Sequence, residues 1–87
     1  MKQHFILFGT DCCHLCEQAK ALLSANDVVQ SERVIVKFID IAEQLQWFDT
    51  YSVLIPVFYH EQTKEELRWP FEQQALRSFI EEAIANN

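Results

Sequence analysis

Apolar and mixed stretches alternate along the chain and divide it into elements of secondary structure. Runs rich in β-branched and aromatic residues predict strands at residues 4–8 and 33–39. Apolar residues recur at helical spacing over residues 13–25 and again over residues 41–51, which predicts a helix after each of these strands. The chain therefore opens with the order strand, helix, strand, helix.

The second half of the chain predicts two further strands and a last helix. Residues 53–59 form an apolar strand interrupted by Pro56, residues 60–64 form a turn, and residues 65–69 alternate as an antiparallel edge strand does. Pro70 begins the last helix in this interpretation, because proline is favoured in the first turn of a helix. The apolar stripe of that helix consists of Leu76, Phe79, Ile80, Ala83 and Ile84.

The resulting order, β-α-β-α-β-β-α, predicts an α/β fold. A strand–helix–strand opening implies parallel first and second strands joined by a right-handed crossover, and the later turn implies an antiparallel pair. The second strand shows no clean alternation, so we expect helices to bury both of its faces. These relations predict a mixed four-stranded sheet flanked by helices.

Length and composition predict one small domain over residues 1–87. The net charge of −6, from 7 basic and 13 acidic residues, argues against a nucleic-acid partner, because phosphate binding needs a basic face. The sequence contains no run of about 20 apolar residues, the length that spans a membrane, and the first residues lack the apolar core of a signal peptide. We therefore expect a cytoplasmic monomer that binds neither nucleic acid nor membrane.

The candidate chemistry lies after the first strand, in the stretch Cys13-His14-Leu15-Cys16. Cys13 falls near the predicted start of a helix, where backbone N–H groups lack partners and the helix dipole is positive. We expect this environment to lower the pKa of Cys13 and to favour its thiolate. Cys16 lies one helical turn later, close enough to attack a mixed disulfide on Cys13. The spacing indicates a dithiol that cycles between reduced and oxidised forms.

Three other interpretations of this cysteine pair remain open. The pair could be half of a zinc site, which would need two further ligands. The remaining candidate ligands are Cys12 and the three histidines, and the sequence has no second CxxC or HxxxH motif to supply a pair of them. A structural disulfide that closes so short a loop would constrain little of the unfolded chain. The two cysteines could also be inert residues of the core. The strand–loop–CxxC–helix order favours the redox interpretation, in which no metal or other cofactor is expected.

Cys12 precedes the pair directly. Adjacent cysteines form a disulfide only with strain, so we interpret Cys12 as a loop residue rather than as a partner of Cys13. A third thiol that reacts with a partner or with oxidants is the alternative interpretation.

Three motifs follow one another along nearly the whole chain: Gly9-Thr10 with the CxxC motif, then Ile55-Pro56-Val57, then Glu66-Leu67-Arg68-Trp69-Pro70-Phe71. The CxxC motif, the Ile-Pro before the third strand and the element order resemble the thioredoxin superfamily, and the length is similar to that of a glutaredoxin. More closely, the three motifs resemble those of a small group of bacterial glutaredoxin-like proteins. The resemblance implies a thioredoxin-like fold. It identifies Cys13 as the attacking cysteine, Cys16 as the resolving cysteine and Pro56 as a cis-proline beside them.

A cis X-Pro bond leaves the preceding backbone open, so an extended peptide or a glutathione segment could pair with it as an added strand. We expect the substrate to contact Thr10, His14, Leu15, Ile55 and Pro56. The function that the resemblance implies is thiol-disulfide oxidation and reduction. The partners would be a protein disulfide or glutathione, together with a reductase. A metal or iron–sulfur carrier, or a redox-sensing adaptor, is the alternative function on the same scaffold.

The chain differs from well-studied glutaredoxins at two positions that help those proteins hold glutathione. Thr10 stands where they carry a basic residue, and Trp69-Pro70-Phe71 stands where they carry Gly-Gly followed by an acidic residue. Because charge-assisted bonds to the glutathione carboxylates would be missing, we predict weak coupling to glutathione. Arg68 is the only nearby cation in the sequence that could substitute.

Overall fold

A computed structural model describes residues 2–85 of the chain and contains the seven predicted elements in the predicted order. They are β1 (Gln3–Gly9), α1 (His14–Ser24), β2 (Val34–Asp40), α2 (Leu45–Tyr51), β3 (Val57–His60), β4 (Glu66–Arg68) and α3 (Gln73–Ala85). Within residues 2–85, none of the helices is long and apolar enough to cross a membrane.

The four strands form one mixed sheet in the order β2-β1-β3-β4. β1 pairs in parallel with β2 and antiparallel with β3, and β3 pairs antiparallel with β4. The parallel opening pair and the antiparallel hairpin are therefore both as predicted, and the α/β fold class is confirmed.

Alternation along β1 builds a core on each face of the sheet. Phe5 and Leu7 belong to the core that α1 and α3 cover, whereas Ile6 and Phe8 belong to the core that α2 covers. The first core also contains the buried residues Ala19, Leu23, Val29, Val34, Phe58, Phe71, Leu76, Ile80 and Ala83. The second also contains Ile41, Tyr51, Val57 and Tyr59. Each fully buried Phe or Leu side chain stabilises the fold by about 1.5–3 kcal/mol.

β2 is less buried than its sequence pattern predicts. Only Val34 is buried in this strand, and Lys37 and Phe38 are exposed. The cause is the position of β2 at the edge of the sheet, next to β1 alone. The expectation that both faces of β2 are covered is therefore wrong. The ring of Phe38 is instead partly shielded by Lys20, whose Nζ lies 4.0 Å from the ring centroid.

Two elements begin later than predicted because local hydrogen bonds compete with them. α2 starts at Leu45 rather than near residue 41, since the Asp40 carboxylate accepts the Ala42 N–H at 2.9 Å and holds a turn there. The strand predicted from residue 53 starts only at Val57. The residues before it form a turn that is bonded to the end of α2 rather than to the sheet.

The prediction that Pro70 begins the last helix is wrong, because α3 starts at Gln73. Phe71 is 5% exposed and packs edge-on against Trp69, with ring centroids 5.0 Å apart. Phe71 is buried in the first core in an irregular segment, and the helix begins two residues after it. The Trp69-Pro70 peptide bond in this segment is cis.

His60, at the end of β3, is a buried histidine with both ring nitrogens hydrogen-bonded. Nε2 lies 2.7 Å from Gln3 Oε1, and Nδ1 lies 2.7 Å from Thr63 Oγ1 and accepts the Thr63 N–H at 3.4 Å. We assign the proton to Nε2, because Nδ1 serves as an acceptor. Burial lowers the pKa of His60, although Glu65 and Glu61 act in the opposite direction.

The lowered pKa of His60 predicts a loss of stability in mild acid. The unfolded chain, with a histidine pKa of about 6.5, binds the proton before the folded chain does. The contribution of neutral His60 to the free energy of unfolding is therefore complete above about pH 6.5 and is lost as the pH falls below that value. Urea unfolding at about pH 7.5 and about pH 5.5 should show a lower free energy at the lower pH. The difference should shrink in His60→Gln and persist in His14→Gln, and an undiminished difference in His60→Gln would contradict the assignment.

Candidate functional site

The two cysteines of the CxxC motif lie at the N-terminal end of α1 and form a disulfide, with their Cα atoms 5.2 Å apart. Cys13 caps the helix: its backbone is extended, with φ −101° and ψ 108°, and its sulfur accepts the Cys16 N–H at 3.2 Å. Cys16 is 0% exposed, whereas Cys13 is half-buried. The motif therefore presents one accessible sulfur with a second sulfur buried behind it.

The position of Cys13 is suited to a thiolate in the reduced protein. It lies at the positive end of α1, and the Cys16 N–H points at its sulfur. A hydrogen bond to an ionised sulfur is stronger than one to a neutral sulfur, so the cap favours the charged form.

Gly9, the only glycine in the chain, allows the end of β1 to approach this pair closely. A Cβ at this position would lie 3.0 Å from Cys16 Sγ and 3.0 Å from Cε1 of Phe38. Any larger residue would therefore press on the buried cysteine. The sequence shows Gly9 only as the end of a strand. Its contact with Phe38, about thirty residues away, could not be found from spacing.

The Ile55-Pro56 peptide bond is cis, as the resemblance implies. Pro56 is buried, and its carbonyl accepts the Trp69 N–H at 3.3 Å. The Ile55 N–H donates to the Tyr51 carbonyl at 3.1 Å, so it is already occupied. Within residues 2–85, nothing donates a hydrogen bond to the Ile55 carbonyl. Of the two backbone groups of Ile55, the carbonyl is the one left for a partner.

The strand that leads to the CxxC motif and the strand that follows the cis-proline, β1 and β3, are paired neighbours in the sheet. Phe8 pairs with Val57 in the antiparallel register of β1 and β3. Val57 directly follows Pro56, and Phe8 directly precedes Gly9, where an added Cβ would lie 3.0 Å from Cys16 Sγ. The resemblance implies that the cis-proline lies beside the dithiol, and that placement stays a prediction; the structure shows that β3 pairs directly with β1.

The other predicted site residues surround the same end of the sheet. Thr10 is half-buried at the end of β1, and His14 and Leu15 are exposed in the first turn of α1, Leu15 by 43%. Cys12 is exposed and unbridged, in a left-handed conformation with φ 59°. An open depression of about 410 Å³ is lined by Cys12, Cys13, His14 and Glu17.

Metal-ligating side chains are not clustered at the CxxC motif in the part of the chain that the structure describes. Within residues 2–85, no group of three or more histidine, cysteine, aspartate or glutamate side chains is arranged to hold a metal ion. The arrangement supports nucleophilic attack by one sulfur and intramolecular attack by the other.

Comparison with known proteins identifies the family. The sequence profile of a glutaredoxin-like domain (DUF836) matches residues 4–81. The chain belongs to this glutaredoxin-like family. A search of curated protein sequences gave no match.

The structure of this glutaredoxin-like chain is similar to a solved one. The X-ray structure of the structural-genomics target protein XcR50 from X. campestris superposes with a TM-score of 0.68 and 26% sequence identity. The match covers 88% of this chain and 95% of that chain. Together with the family match, it confirms the thioredoxin-like fold that the motifs imply.

Proposed function

We propose that this glutaredoxin-like domain is a thiol-disulfide oxidoreductase. The observation that carries the proposal is the pairing of an accessible Cys13 at the cap of α1 with a buried Cys16 at disulfide distance. In the reduced protein, the Cys13 thiolate attacks one sulfur of a substrate disulfide and expels the other as a thiolate. The product is a mixed disulfide between Cys13 and the substrate.

The second step releases the substrate. Cys16, as its thiolate, attacks the Cys13 sulfur, so that the Cys13–Cys16 disulfide forms and the second substrate thiolate leaves. The substrate gains two electrons, and the dithiol loses two. A reductase then has to return two electrons to the Cys13–Cys16 pair. In a reducing compartment such as the cytoplasm, which we propose as its location, this direction is favoured.

We propose that the substrate is a protein disulfide carried on an extended segment. The free carbonyl of Ile55 can accept an N–H from such a segment, as in strand addition to a sheet. The exposed side chain of Leu15 offers apolar contact on the side of α1. Thr10, His14 and Pro56 would border the same substrate.

Lys20 and Arg68 are each paired with a carboxylate. Lys20 lies 3.2 Å from a carboxylate oxygen of Glu17. Arg68, the candidate for holding a glutathione carboxylate, lies 3.1 Å from Glu66. A glutathione carboxylate would therefore have to compete with a protein carboxylate for Arg68.

This pairing predicts that glutathione is a poor reductant. Turnover coupled to glutathione should be at least about tenfold slower than turnover coupled to a thioredoxin-reductase-type enzyme. Arg68→Ala should leave the ratio of the two rates unchanged within about twofold, as should the exposed control Lys64→Ala. Efficient glutathione-driven turnover that is lost selectively in Arg68→Ala would show that Arg68 binds a glutathione carboxylate after all.

The function itself is tested with a peptide-disulfide reporter and dithiothreitol as the reductant. The proposal expects turnover by the native chain and none by Cys13→Ser. Metal content is measured on the same anaerobically purified protein. Stoichiometric iron or zinc without turnover would overturn the proposal in favour of a carrier.

A further inference from the structure

Tyr51, the last residue of α2, joins several parts of the site. Its backbone carbonyl accepts the N–H groups of Leu54 at 2.9 Å and Ile55 at 3.1 Å, the residues that lead into Pro56. Its ring is 3% exposed and stacks on Phe8, with centroids 4.5 Å apart and planes at 18°. Phe8 lies in β1, the strand that leads to the dithiol. Tyr51 therefore contacts both β1 and the turn that carries the cis-proline.

The hydroxyl of Tyr51 adds a third attachment. It donates a hydrogen bond to Glu66 Oε2 on β4. The other oxygen of Glu66 is held by Arg68, whose Nε and terminal nitrogen each lie 3.1 Å away. Burial, and next the hydrogen bond to Glu66, raise the pKa of Tyr51, so the hydroxyl stays protonated and remains a donor. A charge-assisted bond of this kind is about twice as strong as a neutral one.

We infer that Tyr51 is a positioning residue that sets the place of the Ile55 carbonyl relative to the dithiol. The inference rests on the proposed function, because it concerns the backbone group that meets the substrate. The carbonyl of Tyr51 holds the N–H of Ile55, and its hydroxyl fixes Tyr51 itself to Glu66 on β4. Loss of the hydroxyl bond lets residues 52–56 shift. The shift weakens substrate binding and leaves the chemistry of Cys13 unchanged.

The chain offers a matched pair of variants. Tyr51→Phe removes the hydroxyl and keeps both the stacked ring and the backbone carbonyl. Tyr59→Phe makes the same chemical change on the same face of the sheet, where Tyr59 also packs against Phe8. Within residues 2–85, the Tyr59 hydroxyl makes no hydrogen bond. The comparison therefore separates loss of the Glu66 bond from loss of a hydroxyl in general.

Two reactions are measured on each variant. The first is turnover of a disulfide-linked pair of peptides with dithiothreitol, from which KM and kcat are obtained separately. The second is alkylation of reduced Cys13 by iodoacetamide, which needs no contact with residues 52–56. Tyr51→Phe should raise KM about tenfold and leave both kcat and the alkylation rate within about twofold. Tyr59→Phe should leave all three within about twofold of the native values.

Glu66 provides an independent test of the same bond. Glu66→Leu should raise KM to a similar extent. The KM of the double variant Tyr51→Phe/Glu66→Leu should exceed that of either single variant by less than about twofold. If the increases in KM from the two substitutions multiply in the double variant, the inference is overturned. An unchanged KM in Tyr51→Phe, or an equal loss of turnover and of Cys13 alkylation, would also overturn it. Absence of turnover by the native chain would instead refute the proposed function. The two failures are therefore distinguishable.

Discussion

Cys13→Ser should abolish disulfide turnover, whereas Cys16→Ser should trap the substrate as a mixed disulfide. Cys13 is the accessible sulfur at the cap of α1, and serine has no comparable nucleophile near neutral pH. We expect at least about a thousandfold loss of turnover in Cys13→Ser. In Cys16→Ser the attack by Cys13 remains, but the sulfur that would release the substrate is missing. Intact-mass spectrometry of each variant after exposure to the peptide disulfide measures the adduct.

Cys12→Ser is the control, because Cys12 is exposed and unbridged beside the same pair. Its turnover should stay within about twofold of the native rate. An adduct on Cys16 in the Cys13→Ser protein would reverse the assigned roles. A large loss in Cys12→Ser would bring the third cysteine into the mechanism. In cells, the Cys16→Ser adducts also identify the physiological substrates, since the trapped partner stays covalently bound to Cys13.

The order of the elements could be predicted because it depends on local spacing. Helical recurrence around Ala19 and Leu23, and the apolar run of β1, are properties of neighbouring residues. The position of Cys13 at the start of α1 follows from where that strand ends and that helix begins. The motif order then implied the thioredoxin-like fold, which the structural comparison supports.

Features that depend on distant contacts could not be predicted in the same way. The runs Val34-Ile35-Val36 and Phe38-Ile39 predict a strand buried on both faces, but the position of β2 at the sheet edge leaves Phe38 exposed. Pro70 is a suitable first residue for a helix, yet burial of Phe71 delays the helix. The Tyr51–Glu66 bond joins residues from separate elements, and no spacing rule indicates it.

Gly9→Ala should lower stability through a contact with the buried cysteine, and more so in the oxidised protein. The added Cβ would lie 3.0 Å from Cys16 Sγ and 3.3 Å from Cys16 Cβ. Cys16 is fully buried, so α1 has to move away from β1, and overpacking of this kind costs about 1–3 kcal/mol. In the oxidised form the bond to Cys13 holds Sγ in place, whereas a free thiol can rotate. We expect Tm to fall by about 5–15 °C in the oxidised protein and by less in the reduced protein.

The contact between the added Cβ and Cys16 can be tested by truncating, in turn, each of the two side chains that the Cβ would meet. Phe38 also lies 3.0 Å from the added Cβ, but it is 39% exposed on an edge strand and can turn outward. The cost of Gly9→Ala should therefore shrink in a Cys16→Ala background and change little in a Phe38→Ala background. The opposite ranking would show that β2, rather than the dithiol, requires glycine here. If the ranking is as expected, the close approach of β1 that positions the buried cysteine is the reason that this strand ends in glycine.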